Sequence, residues 1–338
     1  MKIIVTGGAG FIGCNAVKRY LADGHEVVVL DNLSRRGAVE NLKWLQGVGS
    51  FTFYNCDIRD QQQLGMIMRE HSNAQVVLHL AAQVAVTTSV IDPRTDFHIN
   101  ALGTFNLLEA VREFLPEAIL LYASTNKVYG GLEHLEVVER VGRYQYLDLS
   151  KGVSEAEPLD FHSPYGCSKG AADQYVRDYA RIYGLRTICF RQSCIYGYRQ
   201  FGVEDQGWVA WFTIAAVLGH PITIYGDGKQ VRDVLFIDDL CDLYIAAVDH
   251  IERVRGQVYN IGGGAENQLS LLELIAQLEA LTGDKIKYSF DKWRPGDQPV
   301  FVCDISKAAQ DFNWRPRIYA PKGIELLYNW VKENREIF

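Results

Sequence analysis

The sequence predicts an α/β protein built on a doubly wound parallel sheet, with a smaller α/β lobe attached. Three observations predict it. Short β-branched runs alternate with helical patterns through the first half, as parallel strands joined by crossover helices do. The runs are continuously apolar rather than alternating, which fits strands covered on both faces. A glycine-rich turn, Thr6-Gly7-Gly8-Ala9-Gly10-Phe11-Ile12-Gly13, follows the first of them and opens a helical pattern. Together these are the marks of a Rossmann fold.

The expected strands are Lys2–Thr6, Glu26–Leu30, Phe51–Asn55, Val76–Leu80, Ile119–Ala123 and Arg186–Phe190. Helices are expected at Phe11–Leu21, Gln61–Glu70, Thr95–Phe114 and Tyr165–Tyr183, with Gly24 stopping the first. Residues 131–163 are polar and irregular and read as an inserted loop, long enough to fold over a ligand as a lid. Beyond Arg191 the alternation loosens. Helical patterns cover Gln206–Leu218, Asp238–Val248, Ser270–Leu281 and Ala320–Glu333, and Ile222–Tyr225 is a short strand. The expected division is a cofactor domain over 1–190, with 226–250 packing back on it, and a second lobe over 191–338.

Composition bounds the function. A length of 338 residues suggests two domains. Lys and Arg total 34 against 41 Asp and Glu, a net charge of −7, which argues against nucleic acid or an anionic membrane as partner. The seven cysteines are odd in number and form no CxxC pair, so reduced thiols are expected. No leader pattern precedes the first strand, and no apolar run approaches the roughly 20 residues of a membrane span. A cytoplasmic setting is expected. The histidines show no metal-ligand spacing, so no metal is expected; His79, inside a strand run, reads as a satisfied interior residue.

In the glycine turn, Gly7 permits the tight bend, Gly10 lets backbone amides approach a pyrophosphate, and Gly13 lets the helix pack on the sheet. Asp31 ends the second strand, where a carboxylate holds ribose hydroxyls and repels a 2′-phosphate. That favours NAD over NADP. Arg35 and Arg36 follow, and read equally as a phosphate support or a solvated loop. Asp57 and Ile58 follow the third strand, as an adenine edge or as a helix cap and core residue.

Tyr165-Gly166-Cys167-Ser168-Lys169 carries chemistry. Residues four apart share a helix face, so Tyr165 and Lys169 point the same way. A tyrosine ionises near pH ~10. A nearby ammonium and a positive nicotinamide ring favour its phenolate, making it a general base for an alcohol that loses hydride. Ser124 and Thr125 end the fifth strand, at the sheet edge where ligands sit.

Through these residues the chain resembles the extended short-chain dehydrogenase/reductase family, in its nucleotide-sugar epimerase and dehydratase group, over essentially its whole length. The matching pieces are TGGAGFIG, Asp31-Asn32-Leu33, His79-Leu80-Ala81-Ala82, Asn100 in NALGT, Ser124-Thr125, Tyr165 with Lys169, Arg232-Asp233 and Arg294-Pro295-Gly296-Asp297. The resemblance implies Tyr165, Lys169 and Thr125 as the catalytic set. It implies NAD as cofactor, held by Phe11, Ile12, Asn32, Leu80, Ala81, Ala82, Asn100 and Ser124 beside Gly7, Gly10, Gly13, Asp31, Arg35, Asp57 and Ile58. Nucleotide-sugar contacts fall to Thr87, Asn126, Ser193, Gln206, Trp208, Arg232, Arg294 and Asp297, the two arginines as phosphate clamps. It also implies a homodimer through the helices at 95–114 and 165–183.

Two positions narrow the reaction. Dehydratases of the family carry Asp-Glu directly after the catalytic Thr; here Asn126 and Lys127 follow Thr125. Neither is a carboxylate, which argues against water elimination. Cys194 stands where many relatives have an asparagine that touches phosphate. The strings Ala85-Val86-Thr87-Thr88-Ser89, Ser124-Thr125-Asn126-Lys127, Tyr198-Arg199-Gln200-Phe201 and Asp205-Gln206-Gly207-Trp208 resemble the branch that inverts C2 of CDP-sugars, of the CDP-paratose to CDP-tyvelose type. In a 3,6-dideoxyhexose C3 is a methylene, so oxidising C4 does not activate C2. Direct oxidation at C2 is the economical route. The alternatives are a UDP-hexose 4-epimerase and a non-catalytic NAD-binding sensor or scaffold.

Overall fold

The structure, a computed structural model, describes residues 1–294 and 296–338. Pro295 of the Arg294-Pro295-Gly296-Asp297 string lies outside the described residues.

A seven-stranded sheet organises the chain. It comprises β1 (Lys2–Thr6), β2 (Glu26–Asp31), β3 (Thr52–Asn55), β4 (Val76–His79), β5 (Ile119–Thr125), β8 (Arg186–Gln192) and β12 (Gln257–Ile261), in spatial order β12-β8-β5-β4-β1-β2-β3. β6 (Val137–Arg140) and β7 (Arg143–Tyr146) lie outside it. Every pair in the sheet is parallel; Val5, for example, lies beside Val29 on one side and Leu78 on the other. The expected parallel sheet is present. β12, its seventh strand, comes from beyond residue 250 and covers the outer edge of β8.

Crossover helices α1 (Phe11–Ala22), α2 (Ala38–Val48), α3 (Gln61–Glu70), α4 (Val86–Ile91), α5 (Pro93–Phe97), α6 (Gly103–Phe114) and α7 (Ser163–Tyr183) join the strands. α2 and α4 escaped the sequence reading. α2 starts at Gly37, whose φ of 82° opens it without a side-chain cap, so no capping signal announces it. The single helix expected over Thr95–Phe114 is instead three segments. Asp92 caps α5 through the Thr95 amide at 3.0 Å, and a π-helical turn, His98–Leu102, separates α5 from α6.

Residues 131–163 are not a lid. β6 and β7 form an antiparallel hairpin there. Tyr146 and Val153 bury themselves with Val231, Val300 and Phe301 of the second lobe, and the Tyr146 hydroxyl donates to the Val300 carbonyl at 3.0 Å. Apolar side chains hidden in a polar stretch draw this segment away from the cleft.

The second lobe holds β9 (Cys194–Tyr196), α8 (Trp208–Leu218), β10 (Ile222–Tyr225), β11 (Val231–Phe236), α9 (Ile237–Asp249), α10 (Ile251–Val254), β13 (Gln268–Ser270), α11 (Leu271–Thr282), β14 (Tyr288–Asp291), β15 (Val300–Phe301), α12 (Ser306–Phe312) and α13 (Ala320–Glu333). α8 starts two residues later than expected because Gly207, at φ 76°, turns the chain before it. Ser270 and Glu273 close a reciprocal cap on α11, with hydrogen bonds of 3.2 and 2.8 Å. One hydrophobic core runs from Val5, Val17 and Phe190 of the first half through Phe236 and Leu243 to Leu274 and Leu327 of the second. α9 lies against α1. The two halves are therefore seamed by apolar burial, which fixes the walls of the cleft between them.

Candidate active site

The carboxyl ends of the strands open into a cleft of about 540 Å³, the place where sheets of this kind take ligands. All the candidate residues except Asn100 line it.

At the dinucleotide end, Gly7 and Gly13 are required by space. Gly7 has a φ of 68°, and a Cβ there would stand 2.7 Å from the Ala81 amide nitrogen; one on Gly13 would stand 2.1 Å from the Gly7 carbonyl oxygen. α1 opens at Phe11 after Gly10 with no side-chain cap, so its first-turn amides, at Phe11, Ile12 and Gly13, carry no side-chain acceptor. A bare helix start on a cleft wall fits a pyrophosphate. Asp31 is 9% exposed and accepts the amides of Ala9 at 3.0 Å and Leu33 at 2.8 Å. Burial pushes its carboxyl up, and those hydrogen bonds only partly oppose the rise. Asn32 donates to Asp57 at 2.9 Å, while Arg59 hydrogen-bonds Asp57 and lowers its pKa to about 2. Leu80, Ala81, Ala82 and Ile58 complete this end. The residues present fit NAD.

Asn100 does not line the cleft. It is 1% exposed, donates to the Gln83 carbonyl at 3.0 Å and accepts the Gln83 amide at 2.9 Å, with Asp96 and Ser168 beside it. An amide side chain on the π-helical turn satisfies backbone groups there and so braces the wall.

At the reacting end, Tyr165, Thr125 and Lys169 lie together in the cleft. Burial pushes the Tyr165 phenol up to about 12; a hydrogen bond with Thr125 and the charge of Arg35 pull against that, and Asp96 adds to it. The pull expected from Lys169 comes instead from Thr125 and Arg35. The Lys169 ammonium donates to the Ala123 carbonyl at 2.6 Å and sits 4.4 Å from the centre of the Tyr122 ring; burial brings its pKa down to about 8. Ser124 also faces the cleft, yet its hydroxyl donates to Asp173 at 2.8 Å. Asp173 is paired in turn with Arg191 at 2.9 Å, and both are buried. The Tyr165 amide donates to the Ser89 hydroxyl at 3.1 Å, which ties the start of α7 to α4.

The cleft also gathers the residues expected on the nucleotide sugar: Thr87, Asn126, Ser193, Gln206, Trp208, Arg232, Arg294 and Asp297. The Thr87 hydroxyl is buried with no partner among the described residues. Trp208 donates its indole N–H to the Cys194 sulfur at 3.3 Å, and Ser193 donates to Asp233 at 2.5 Å. Arg35 donates to Gln206, joining a residue expected on the cofactor to one expected on the sugar. Arg232 holds the Val231 and Gln298 carbonyls and lies 3.7 Å from Asp297. Arg294 pairs with Asp205 at 2.9 Å, and its guanidinium lies 3.8 Å from the centre of the Tyr225 ring.

Lys127 was read in the sequence only as a missing carboxylate. It lines the cleft, and its ammonium has no hydrogen bond or ion pair among the described residues. Burial and the like charge of Arg232 bring its pKa down to about 8. The signal was its place two residues after Thr125, at the carboxyl end of β5. His79 is the satisfied interior residue expected: its ring nitrogens meet Thr6 at 2.7 Å and Thr104 at 3.0 Å, and burial brings its pKa to about 3. Cys167 is exposed, and its thiol lies 3.7 Å from the Phe161 carbonyl. Among the described residues no group of three His, Cys, Asp or Glu side chains gathers as a metal site.

The chain matches the NAD dependent epimerase/dehydratase family over residues 3–262. It is 47% identical over 336 residues to a CDP-paratose 2-epimerase of Salmonella typhi, covering 98% of this chain and 99% of that protein. Its structure is similar to the crystal structure of UDP-glucose 4-epimerase with UDP-glucose from Thermotoga maritima, with TM-score 0.85, 30% identity, and 99% and 100% of the two chains covered. It is also similar to UDP-glucose 4-epimerase of Thermus thermophilus in complex with NAD, with TM-score 0.83, 32% identity, and 99% and 100% covered.

Proposed function

The chain belongs to the NAD dependent epimerase/dehydratase family, and on that premise we propose that it inverts C2 of a nucleotide-linked hexose by direct oxidation and re-reduction at that carbon. The substrate is a CDP-linked 3,6-dideoxyhexose; the 47% identity with a CDP-paratose 2-epimerase supports that choice of sugar and nucleotide.

NAD, held by the glycine turn and Asp31, would supply the hydride acceptor and donor for C2. Tyr165 takes the proton of the 2-hydroxyl and gives it back, with Thr125 aligning the same oxygen. Lys169, fixed by the Ala123 carbonyl, would hold the cofactor ribose. Arg232 and Arg294 grip the diphosphate through their guanidinium forks while the sugar turns over.

One observation carries the reading: Thr125 is followed in the cleft by Asn126 and Lys127, not by a pair of carboxylates. In a 2-keto-3-deoxy sugar the C3 hydrogens are acidified, and the C4 hydroxyl is β to the carbonyl. A carboxylate base at these positions would promote loss of water. An amide and an ammonium do not.

The test is incubation with CDP-paratose and with UDP-glucose in deuterated water without added reductant. Inversion at C2 with little solvent deuterium there is expected. Inversion of UDP-glucose at C4, with the CDP-sugar unchanged, would sink the proposal.

The seven free thiols favour a reducing cytoplasm, and among the described residues no helix is long and apolar enough to cross a membrane. We also propose a homodimer through α6 and α7, whose Phe105, Tyr175, Ile182 and Tyr183 are exposed. Sedimentation is expected to give twice the chain mass; a monomer at micromolar concentration would exclude the dimer.

A further inference from the structure

A second cavity, of about 430 Å³, lies beside the outer edge of the sheet. Its walls come from the C-terminal half of α7, from Gly256 and the start of β12, and from α12. Arg177, Arg181, Arg191, Arg255 and Lys307 line it, and Glu155 is the one acid among the described lining residues. In a chain of net charge −7 that is a local reversal of sign.

The cations differ in what they already hold. Arg191 is committed to Asp173. Lys307 donates to the Val258 carbonyl at 2.8 Å and to Gln257 at 3.1 Å. Glu155 accepts the Asn260 amide at 2.8 Å. Arg181 and Arg255 are exposed, and their guanidiniums have no hydrogen bond or ion pair among the described residues. Arg177 donates to Gln174 at 3.2 Å, but its Nε is buried with no acceptor among the described residues. A buried donor left unpaired is costly until an acceptor reaches it.

Three guanidiniums with unused donors, closing on one cavity, match an oxyanion with several oxygens. The uncharged lining is Ala180, Gly184, Gly256, Gln257 and Val258, with no aromatic face for a base. Arg177 and Arg181 also lie on a different side of α7 from Tyr175 and Ile182, so the proposed dimer leaves the cavity open.

We propose that this cavity binds a compact phosphate polyanion, either inorganic diphosphate or a phosphate monoester, independently of the nucleotide-sugar cleft. The inference stands on the cavity's own residues and does not depend on the C2 reading.

The test is calorimetry on the whole protein with NAD and saturating CDP present, so that the cleft is filled. The probes are sodium diphosphate and glucose 1-phosphate, with sodium sulfate at matched ionic strength. Saturable binding of diphosphate is expected, weakened at least tenfold in the double variant Arg181→Gln, Arg255→Gln. Equal binding of glucose 1-phosphate identifies the monoester class; binding of diphosphate alone identifies the diphosphate. Both replaced side chains are exposed, and an unchanged thermal midpoint without ligand confirms an intact fold. No saturable heat, unchanged affinity in the double variant, or equal binding of sulfate overturns the proposal.

Discussion

Replacing Tyr165 with phenylalanine is expected to lower kcat by roughly 10²–10⁴-fold, the contribution of a positioned general base. Only one oxygen is removed. The ring stays packed at 8% exposure, and the hydrogen bond of the Tyr165 amide to Ser89 is untouched. KM and NAD content should therefore change little, which separates a chemical loss from a structural one. The pH dependence gives a second readout. Burial holds the phenol up to about 12 against Thr125 and Arg35. The base form grows as pH rises, so wild-type turnover should climb from neutral into the alkaline range. The residual turnover of Tyr165→Phe should lack that climb. Turnover within a few-fold of wild type would remove Tyr165 from the catalytic set.

Asp173→Ala is expected to cost about 3–5 kcal/mol of stability, the usual loss when one partner of a buried pair is removed. Asp173 is fully buried and accepts Arg191 at 2.9 and 3.0 Å and Ser124 at 2.8 Å. Without it the guanidinium of Arg191, 3% exposed, keeps the Tyr129 hydroxyl at 3.1 Å but loses its counter-charge. Burial pushes the Asp173 carboxyl up, Arg191 outweighs that, and the net pKa lies below the ordinary carboxylate range. The pair's stabilisation is thus present above the unfolded value of about 3.9 and disappears as pH falls through the lower folded one. Urea unfolding at pH 7 measures the effect; a loss below about 1 kcal/mol would show that the pair does not hold the sheet to α7.

Much of this was legible in the sequence because it rests on local rules. A glycine turn needs its glycines within seven residues, and Tyr165 and Lys169 are one helical turn apart. The bounds of β1, α3, β10 and α13 follow directly from apolar runs and their flanks. What was hidden depends on partners far away in the chain. The bond between Asn100 and the Gln83 backbone joins two segments that no local pattern links. The hairpin in 131–163 takes its meaning from Val300 and Phe301. Lys169 shares a helix face with Tyr165 yet finds the Ala123 carbonyl, a contact that no i,i+4 rule contains.

The placement of β12 has a consequence for how the protein is made. β8 ends at Gln192, and the strand that pairs with its outer edge begins at Gln257. At about 5–20 residues per second, a ribosome needs several seconds to span that interval. For that time the nascent sheet ends in a bare, apolar strand edge, the feature that invites pairing with other chains. A truncated gene product stopping near residue 190 would keep this edge for good. The first half is therefore not an excisable module, because its sheet is completed only once residues 257–261 have been synthesised.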